Sequence, residues 1–222
     1  TVVDAYGNPV PDGTPVLFTT DLGGFPTATS YWGSTSAGVA TAVLTSGTVA
    51  GTATVNGAAD LISASTQVIF RPDAPFTMAV TATPDHIVVG GATSIIEAMV
   101  RDQYGNWVED GTLVSFVTTA GWIAPSVAGT SIGKAYSVLT SGTVALTATI
   151  TATADAITGT VDVVFLPGEP RVTIVADPTT LPVGDTSAVT VTARDVHGNP
   201  VGGAPVWLTT TLGLFVPDNF ST

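Results

Sequence analysis

Three stretches, VVDAYGNPV at 2–10, VRDQYGNWV at 100–108 and ARDVHGNPV at 193–201, share the frame Asp-x-x-Gly-Asn. Their aspartates, Asp4, Asp102 and Asp195, lie 98 and 93 residues apart. Each is followed by the same kind of block: GTPVLFTTDLGGF from Gly13, GTLVSFVTTAGWI from Gly111 and GAPVWLTTTLGLF from Gly203. Self-similarity at a fixed period of this length is the signature of an array of like domains, so the repeat decides the fold before any single strand is assigned.

Working outward, two further blocks recur twice at the same offset. GVATAVLTSGTVAGTATV from Gly38 matches GKAYSVLTSGTVALTATI from Gly133, and VIFRPDAP from Val68 matches VVFLPGEP from Val163. MAVTATPDHIVVGG from Met78 matches VTIVADPTTLPVGD from Val172. Only 75–169 contains every block. The expected domains are therefore 1–74, a repeat lacking its first strand; 75–169, a complete repeat; and 170–222, the N-terminal part of a third. The sequence begins Thr-Val-Val without an initiating Met and is expected to be an internal segment of a longer chain.

Within 75–169 apolar residues alternate with polar or small ones: Met78, Val80 and Ala82; Ile96, Ala98 and Val100; Ala135, Ser137 and Leu139; Ala148 and Ile150; Val163 and Phe165. A period of two places one set on a buried face and the other in water. Thr147, Thr149 and Thr151, and in the first copy Thr52, Thr54 and Asn56, suit the wet face. Gly and Pro mark the junctions and no helical period is present. About seven short strands per repeat predict an all-β chain of tandem immunoglobulin-like β-sandwich repeats. An odd strand number carries the chain in at one end and out at the other, so repeats should stack end to end, each adding roughly 35 to 45 Å. The linkers Phe70–Pro75 and Phe165–Pro170 carry two prolines each, which favours semi-rigid joints over flexible tethers.

Composition narrows function. Seventeen acidic groups against five basic ones give a net charge of -12, which disfavours nucleic acid and anionic membrane surfaces as partners. With no Cys, thiolate metal sites, Cys nucleophiles and iron–sulfur clusters are excluded. Mean hydropathy is +0.47, yet Thr, Gly, Asp or Pro interrupts every apolar run before it could span a bilayer.

Taken together, D-x-x-G-N-P-V, G-x-P-V-x-F-T-T-x-x-G-x-F and G-x-A-T-A-x-L-T-S-x-T-x-A-G-T-A-T-V resemble the bacterial Ig-like group 1 domains of intimin and invasin stalks over essentially the whole chain. Trp107 in place of the Pro seen at Pro9 and Pro200, and Leu146 in place of Gly51, are the departures. The resemblance implies an outer-membrane or secreted adhesin of a bacterial cell surface, in which such repeats hold a binding tip away from the cell. The expected role is a non-enzymatic stalk or spacer whose partners are neighbouring repeats of the same polypeptide. Other readings are a glycan- or host-receptor-binding module, a spacer in an extracellular enzyme, and a subunit or decoration of an extracellular filament or sheath that meets neighbouring filament chains.

Candidate sites are few, and no cofactor is expected. Asp4, Asp102 and Asp195 are weak candidates for calcium ligands, with Asp12, Asp110, Asp73 or Glu169 as further oxygens. The turn reading is preferred: Asp accepts backbone N–H groups and Gly takes positive φ, whereas calcium requires six to eight oxygens and there is no dense Asp run. Tyr31, Trp32 and Trp122 are candidate ligand contacts, the first two in a loop three residues longer than its counterpart. His86 and His197 fall at different repeat positions, and no strained Ser accompanies Asp195 and His197, so a catalytic triad is not supported. Lys134 as an isopeptide donor and Asn219-Phe220-Ser221 as a glycosylation sequon are weaker still. On the turn reading, thermal melts in millimolar calcium and in chelator should coincide within about two degrees, because only a cation held by the native state raises its stability.

Overall fold

The computed structural model describes residues 1–26 and 28–215. The Asn219 sequon and the end of the third copy lie outside the described residues. No helix occurs among them, and the chain forms two compact units: 1–78 with 100–112 and 130–133, and 79–99 with 113–129 and 134–222. The units cut across the sequence repeats, since 100–112 and 130–133 belong to the second copy but cluster with the first.

In the first unit, β1 (Pro15–Thr20), β2 (Ser30–Ser34), β3 (Gly51–Ala59) and β4 (Ile62–Phe70) form an antiparallel sheet in the order β2-β1-β3-β4. Val16, Phe25, Ala53 and Ala59 are buried on it, with Val100 and Val108 also in the core.

The second complete set of strands is β5 (Thr77–Thr83), β6 (His86–Val88), β7 (Thr93–Arg101), β8 (Leu113–Thr118), β9 (Trp122–Ala124), β10 (Val127–Gly129), β11 (Lys134–Thr140), β12 (Thr147–Ala154) and β13 (Ile157–Leu166). One sheet runs β10-β8-β12-β13-β6 and the other β5-β7-β11-β9. These strands pair antiparallel except β13 with β6, where Phe165 sits opposite Ile87. This is an immunoglobulin-like sandwich.

Alternation is realised as read. Ile96, Ala98, Ala135, Ser137 and Leu139 from one sheet meet Val114, Phe116, Ala148, Ile150, Val163 and Phe165 from the other, all buried. Two buried hydroxyls on this inner face are satisfied by main chain: Ser137 donates to the Pro125 carbonyl and Ser94 to that of Pro84. Gly121 has φ of +72°, and a Cβ there would fall on the Thr140 carbonyl and 3.0 Å from the Phe165 ring. The set holds nine strands rather than about seven because β6, β9 and β10 are three residues each, too short to show a period.

The third copy contributes β14 (Arg171–Asp177) and β15 (Ala188–Arg194), a two-stranded antiparallel sheet with Val172 and Ile174 exposed. Partnering explains the irregular segments. Val39–Thr45, the counterpart of β11, makes only the isolated bridges Ser36 with Val39 and Gly24 with Thr45. In the second copy β11 lies between β7 and β9, and the first copy offers counterparts to only the last residues of β7. In the third copy, 205–210, the counterpart of β8, is likewise irregular. A strand persists only where its N–H and C=O groups find a partner.

Phe165→Ala should cost about 3 to 5 kcal/mol, the range for truncating a buried aromatic, while exposed Trp122→Ala should stay within about 0.5 kcal/mol. Gly121→Ala should destabilise through steric overlap rather than lost burial. Urea denaturation of the three variants checks the order.

Candidate functional site

The Asp-x-x-Gly-Asn turn closes in the same way in all three copies. The Asp102 carboxylate accepts the main-chain N–H of Tyr104 (2.9 Å) and of Asn106 (2.8 Å) on Oδ1, and the Asn106 side-chain Nδ2 on Oδ2 (2.8 Å). Asp195 accepts the N–H of His197 and of Asn199, both at 2.8 Å, and the Asn199 Nδ2 at 2.7 Å. Asp4 accepts the N–H of Tyr6 (2.8 Å) and of Asn8 (2.9 Å) and the Asn8 Nδ2 (3.1 Å). Gly7, Gly105 and Gly198 hold φ of +84°, +85° and +87°, the left-handed region that a turn of this shape requires of its Gly.

In two copies the same side chains reach out of the turn into the preceding copy. Asn106 Nδ2 donates to the Thr48 carbonyl (2.8 Å), and Asn106 Oδ1 accepts the Ala50 N–H (3.0 Å). Asp102 Oδ2 accepts the N–H of Asp73 from the linker (3.0 Å). This joint lies wholly inside the first unit. The second unit holds its equal: Asn199 Nδ2 donates to the Thr143 carbonyl (2.8 Å), Asn199 Oδ1 accepts the Ala145 N–H (2.9 Å), and Asp195 Oδ2 accepts the Gly168 N–H (3.0 Å). Asp102 is 2% and Asp195 4% exposed, whereas Asp4 is exposed.

Arginine braces the turn from its other side. Arg101 and Arg194 donate to the carbonyls of Gly105 and Gly198. At the departure Trp107, the Arg101 guanidinium also stacks 3.5 Å from the ring centroid, a cation–π contact. The Arg71–Glu109 ion pair (2.8 Å) near the first joint is well exposed on both sides and adds little.

Electrostatics follow the hydrogen bonds. Burial pushes the Asp102 and Asp195 carboxyls up. Donors from the Asn side chain, the linker N–H and the turn N–H groups outweigh it, so Asp102 ends below the ordinary 3.8 and Asp195 well below it. Asp4 is lowered too, chiefly by the Asn8 side chain.

Each joint carboxylate is thus committed to four N–H donors, which is turn chemistry. Three of the four suggested extra oxygens do other work: Asp73 Oδ2 accepts from Gln103 (2.7 Å), while Asp12 Oδ1 and Asp110 Oδ1 accept the N–H of Ala37 and Ile132, each at 2.6 Å. Among the described residues no group of three or more His, Cys, Asp or Glu gathers. Asp195 meets His197 through the main-chain N–H alone, while His86 Nδ1 lies 2.9 Å from Asp85. Lys134 is held by Glu97 at 2.6 Å, which raises its pKa.

The aromatic candidates do not converge. Tyr31 and Trp32 were expected in a loop but lie in β2, paired with Phe18 and Leu17. Tight ladder pairing with β1 makes the longer segment a strand. Neighbours along a strand point to opposite faces, so Tyr31 joins Phe25 (centroids 6.3 Å apart) while Trp32 stands 65% exposed on the other side. Trp122, 73% exposed, begins β9 in the other unit.

The residues that sequence reasoning missed are Asn106 and Asn199 as bridging groups, and the loops at 48–50 and 143–145 that they grip. The signal was present: T-S-G-T-V-A is identical at 45–50 and 140–145, and Gly-Asn is identical in all three turns.

No protein-family model matches the chain, and no curated protein matches it by sequence. Solved structures do match its fold. Invasin, a bacterial integrin-binding protein, superposes with a TM-score of 0.56 at 24% identity, covering 92% of this chain and 44% of that one. InvD of Yersinia pseudotuberculosis superposes with a TM-score of 0.61 at 21% identity, covering 91% of this chain and 65% of that one. The chain therefore spans less than two thirds of either structure, and it shares the Ig-like domain fold of these bacterial adhesins.

A carboxyl whose folded pKa is depressed contributes stability that is present above its unfolded value and is lost as pH falls through the folded one. Both joints should therefore hold from neutral pH to about the ordinary carboxylate value of 3.8 and loosen below it. Protection of the Ala50 and Ala145 amides, taken against the intrinsic exchange rate at each pH, should fall in that acid window. Asp102→Asn, which sets an NH2 against N–H donors, should speed exchange at Ala50 near neutral pH and flatten its acid dependence.

Proposed function

We propose that this chain is a spacer segment of a bacterial surface or secreted adhesin-like protein, its Ig-like repeats stacked end to end to present a distal binding domain. The repeats run 1–74, 75–169 and 170–222. The observation that carries this reading is the twice-built joint, in which one Asp and one Asn of a repeat grip the loop and the linker of the repeat before it. A chain built only to house a site in one domain has no need of the same three-point grip at successive boundaries.

The role is mechanical. The joint ties a turn to a linker whose prolines already restrict it, so bending at the boundary must break one hydrogen bond to a buried charge, worth about 1.5 to 3 kcal/mol, and two to the neutral Asn amide, each worth about 1 kcal/mol. Strand ladders and a dry core then resist force within each repeat, which makes slow unfolding the relevant property. The acidic surface suits a long extracellular chain that must not adhere to itself. The partners are adjoining repeats in the same polypeptide, with any host receptor met by the presented domain, and catalysis is not part of the role.

Small-angle scattering on the 222-residue chain should give a radius of gyration well above the ~17 Å of a compact domain of this length. Asn106→Ala with Asn199→Ala should broaden the distance distribution as the joints loosen while leaving the β-sheet circular dichroism unchanged. A compact particle, or one indifferent to both substitutions, would sink the spacer reading.

A further inference from the structure

Trp122 has no companion in Tyr31 and Trp32, but it has one in Tyr136. In the sheet β5-β7-β11-β9, Ile95 lies opposite Val138, Glu97 opposite Tyr136 and Met99 opposite Lys134, while Trp122 on β9 lies opposite Thr140. Partners across a ladder share a face. Their alternate neighbours Ile96, Ala98, Ile123, Ala135 and Leu139 are buried, so this set looks away from the core. Ile95 is 54% and Tyr136 49% exposed, on the same face as the exposed Trp122.

The second copy alone carries this surface. Trp122, Lys134 and Tyr136 stand where the first copy has Gly24, Val39 and Thr41, and Ile95, Glu97 and Met99 stand where the third has Ala188, Thr190 and Thr192. Three separate stretches of sequence thus converge on one face. None of these side chains belongs to the buried core, so the sandwich itself gives no reason for the change.

We propose that this outer face of the second copy, from Trp122 across Val138 to Tyr136, binds a neutral oligosaccharide, with sugar rings laid on the two aromatics and hydroxyls met by Glu97 and Lys134. The inference stands apart from the spacer reading, since a stalk repeat can carry a site on its side.

The chemistry selects the occupant. A pyranose has an apolar C–H face and a rim of hydroxyls, and the negative face of an indole or phenol ring attracts those C–H hydrogens. Lys134 Nζ and Glu97 Oε1 lie 2.6 Å apart with both side chains partly exposed, which sets a donor and an acceptor beside Tyr136. That pair adds no net charge, and the chain's -12 turns acidic polymers away. Tyr136 and Thr140 lie four residues apart on β11, which puts Tyr136 and Trp122 roughly 14 Å apart, with Val138 and Ile95 as the apolar floor between them. That span exceeds a single sugar ring. A stable protein interface takes about 20 to 30 residues a side. The six changed positions fall far short of one and suit a narrow chain. The platform is also ordered in advance, because every residue from Lys134 to Thr140 is paired with β7, which lowers the entropic cost of binding.

The test titrates the 222-residue chain separately with cellohexaose, chitohexaose and mannohexaose, following the Trp122 indole N–H and the Tyr136 ring by NMR. At least one sugar should give saturable shifts at both residues, and the anionic sialyllactose should give none. Trp122→Ala and Tyr136→Ala should each weaken that binding about tenfold, and Lys134→Gln less, with amide dispersion unchanged because the three side chains lie outside the core. Absence of saturable shifts with all three hexasaccharides, or binding that survives removal of both rings together, would overturn the site and leave the spacer reading standing. Indole shifts that follow protein concentration without any sugar would assign the face to another molecule of this chain and overturn it equally.

Discussion

A loop and a linker leaving a β-sandwich carry main-chain N–H groups that no strand ladder can satisfy, and at the boundary between domains water is partly excluded from them. One aspartate resolves this at each joint. The Asp102 carboxylate collects donors from its own turn, from the Asn106 amide and from the Asp73 linker, and its charge survives burial because four N–H dipoles point at it. Removing it would orphan donors in two successive copies together. The clustering of 100–112 with the first copy, against the repeat boundary, is a consequence of this shared bonding.

The turn and the sandwich depend on different distances along the chain. The turn needs only five residues, and it closes around Asp4 even though the first copy offers few counterparts to the strands of one sheet. The sandwich needs partners tens of residues away. Val-Leu-Thr at 43–45 and at 138–140 are the same residues, yet only the second set lies in a strand, with Ser94 and Ile123 flanking Leu139. Identical local sequence therefore gives a strand where neighbours exist and an irregular run where they do not. Local bonding decides the turns; tertiary pairing decides the sheets.

That division explains what could be read from the sequence alone. The inward set from Ile96 to Phe165 was legible because a sheet with one wet face writes a period of two into the chain. The Asp-x-x-Gly-Asn turn was legible because its bonds are local. The second hand of each Asn was not, since its partners at Thr48 and Thr143 lie 58 and 56 residues away and offer main chain, which has no residue signature. For the same reason Tyr31 and Trp32 read as loop: their membership of β2 is fixed by pairing with β1, not by their own composition. The oxygens gathered around the aspartates on paper, Asp12, Asp73 and Asp110, scatter to separate N–H donors in space.

The choice of Asn at the bridging position follows from what it must do. Its Nδ2 donates at once to the aspartate and to the loop carbonyl, while its Oδ1 accepts the loop N–H, so the amide needs donor and acceptor on one rigid plane. Aspartate has the acceptors but no donor, and it would set a second carboxylate about 3 Å from the first, where the two cannot both stay ionised. Serine has one rotor and cannot span both the carbonyl and the N–H of the loop, and glutamine adds a methylene that moves the amide off the turn that orients it. The residues around the joint face no such demand. Pro9 and Pro200 give way to Trp107, and Gly51 to Leu146, without altering the bonds of Asp102, Asn106, Asp195 or Asn199. A joint read through backbone groups by one Asp and one Asn leaves positions that make none of its bonds free to differ between copies, as Trp107 and Leu146 do.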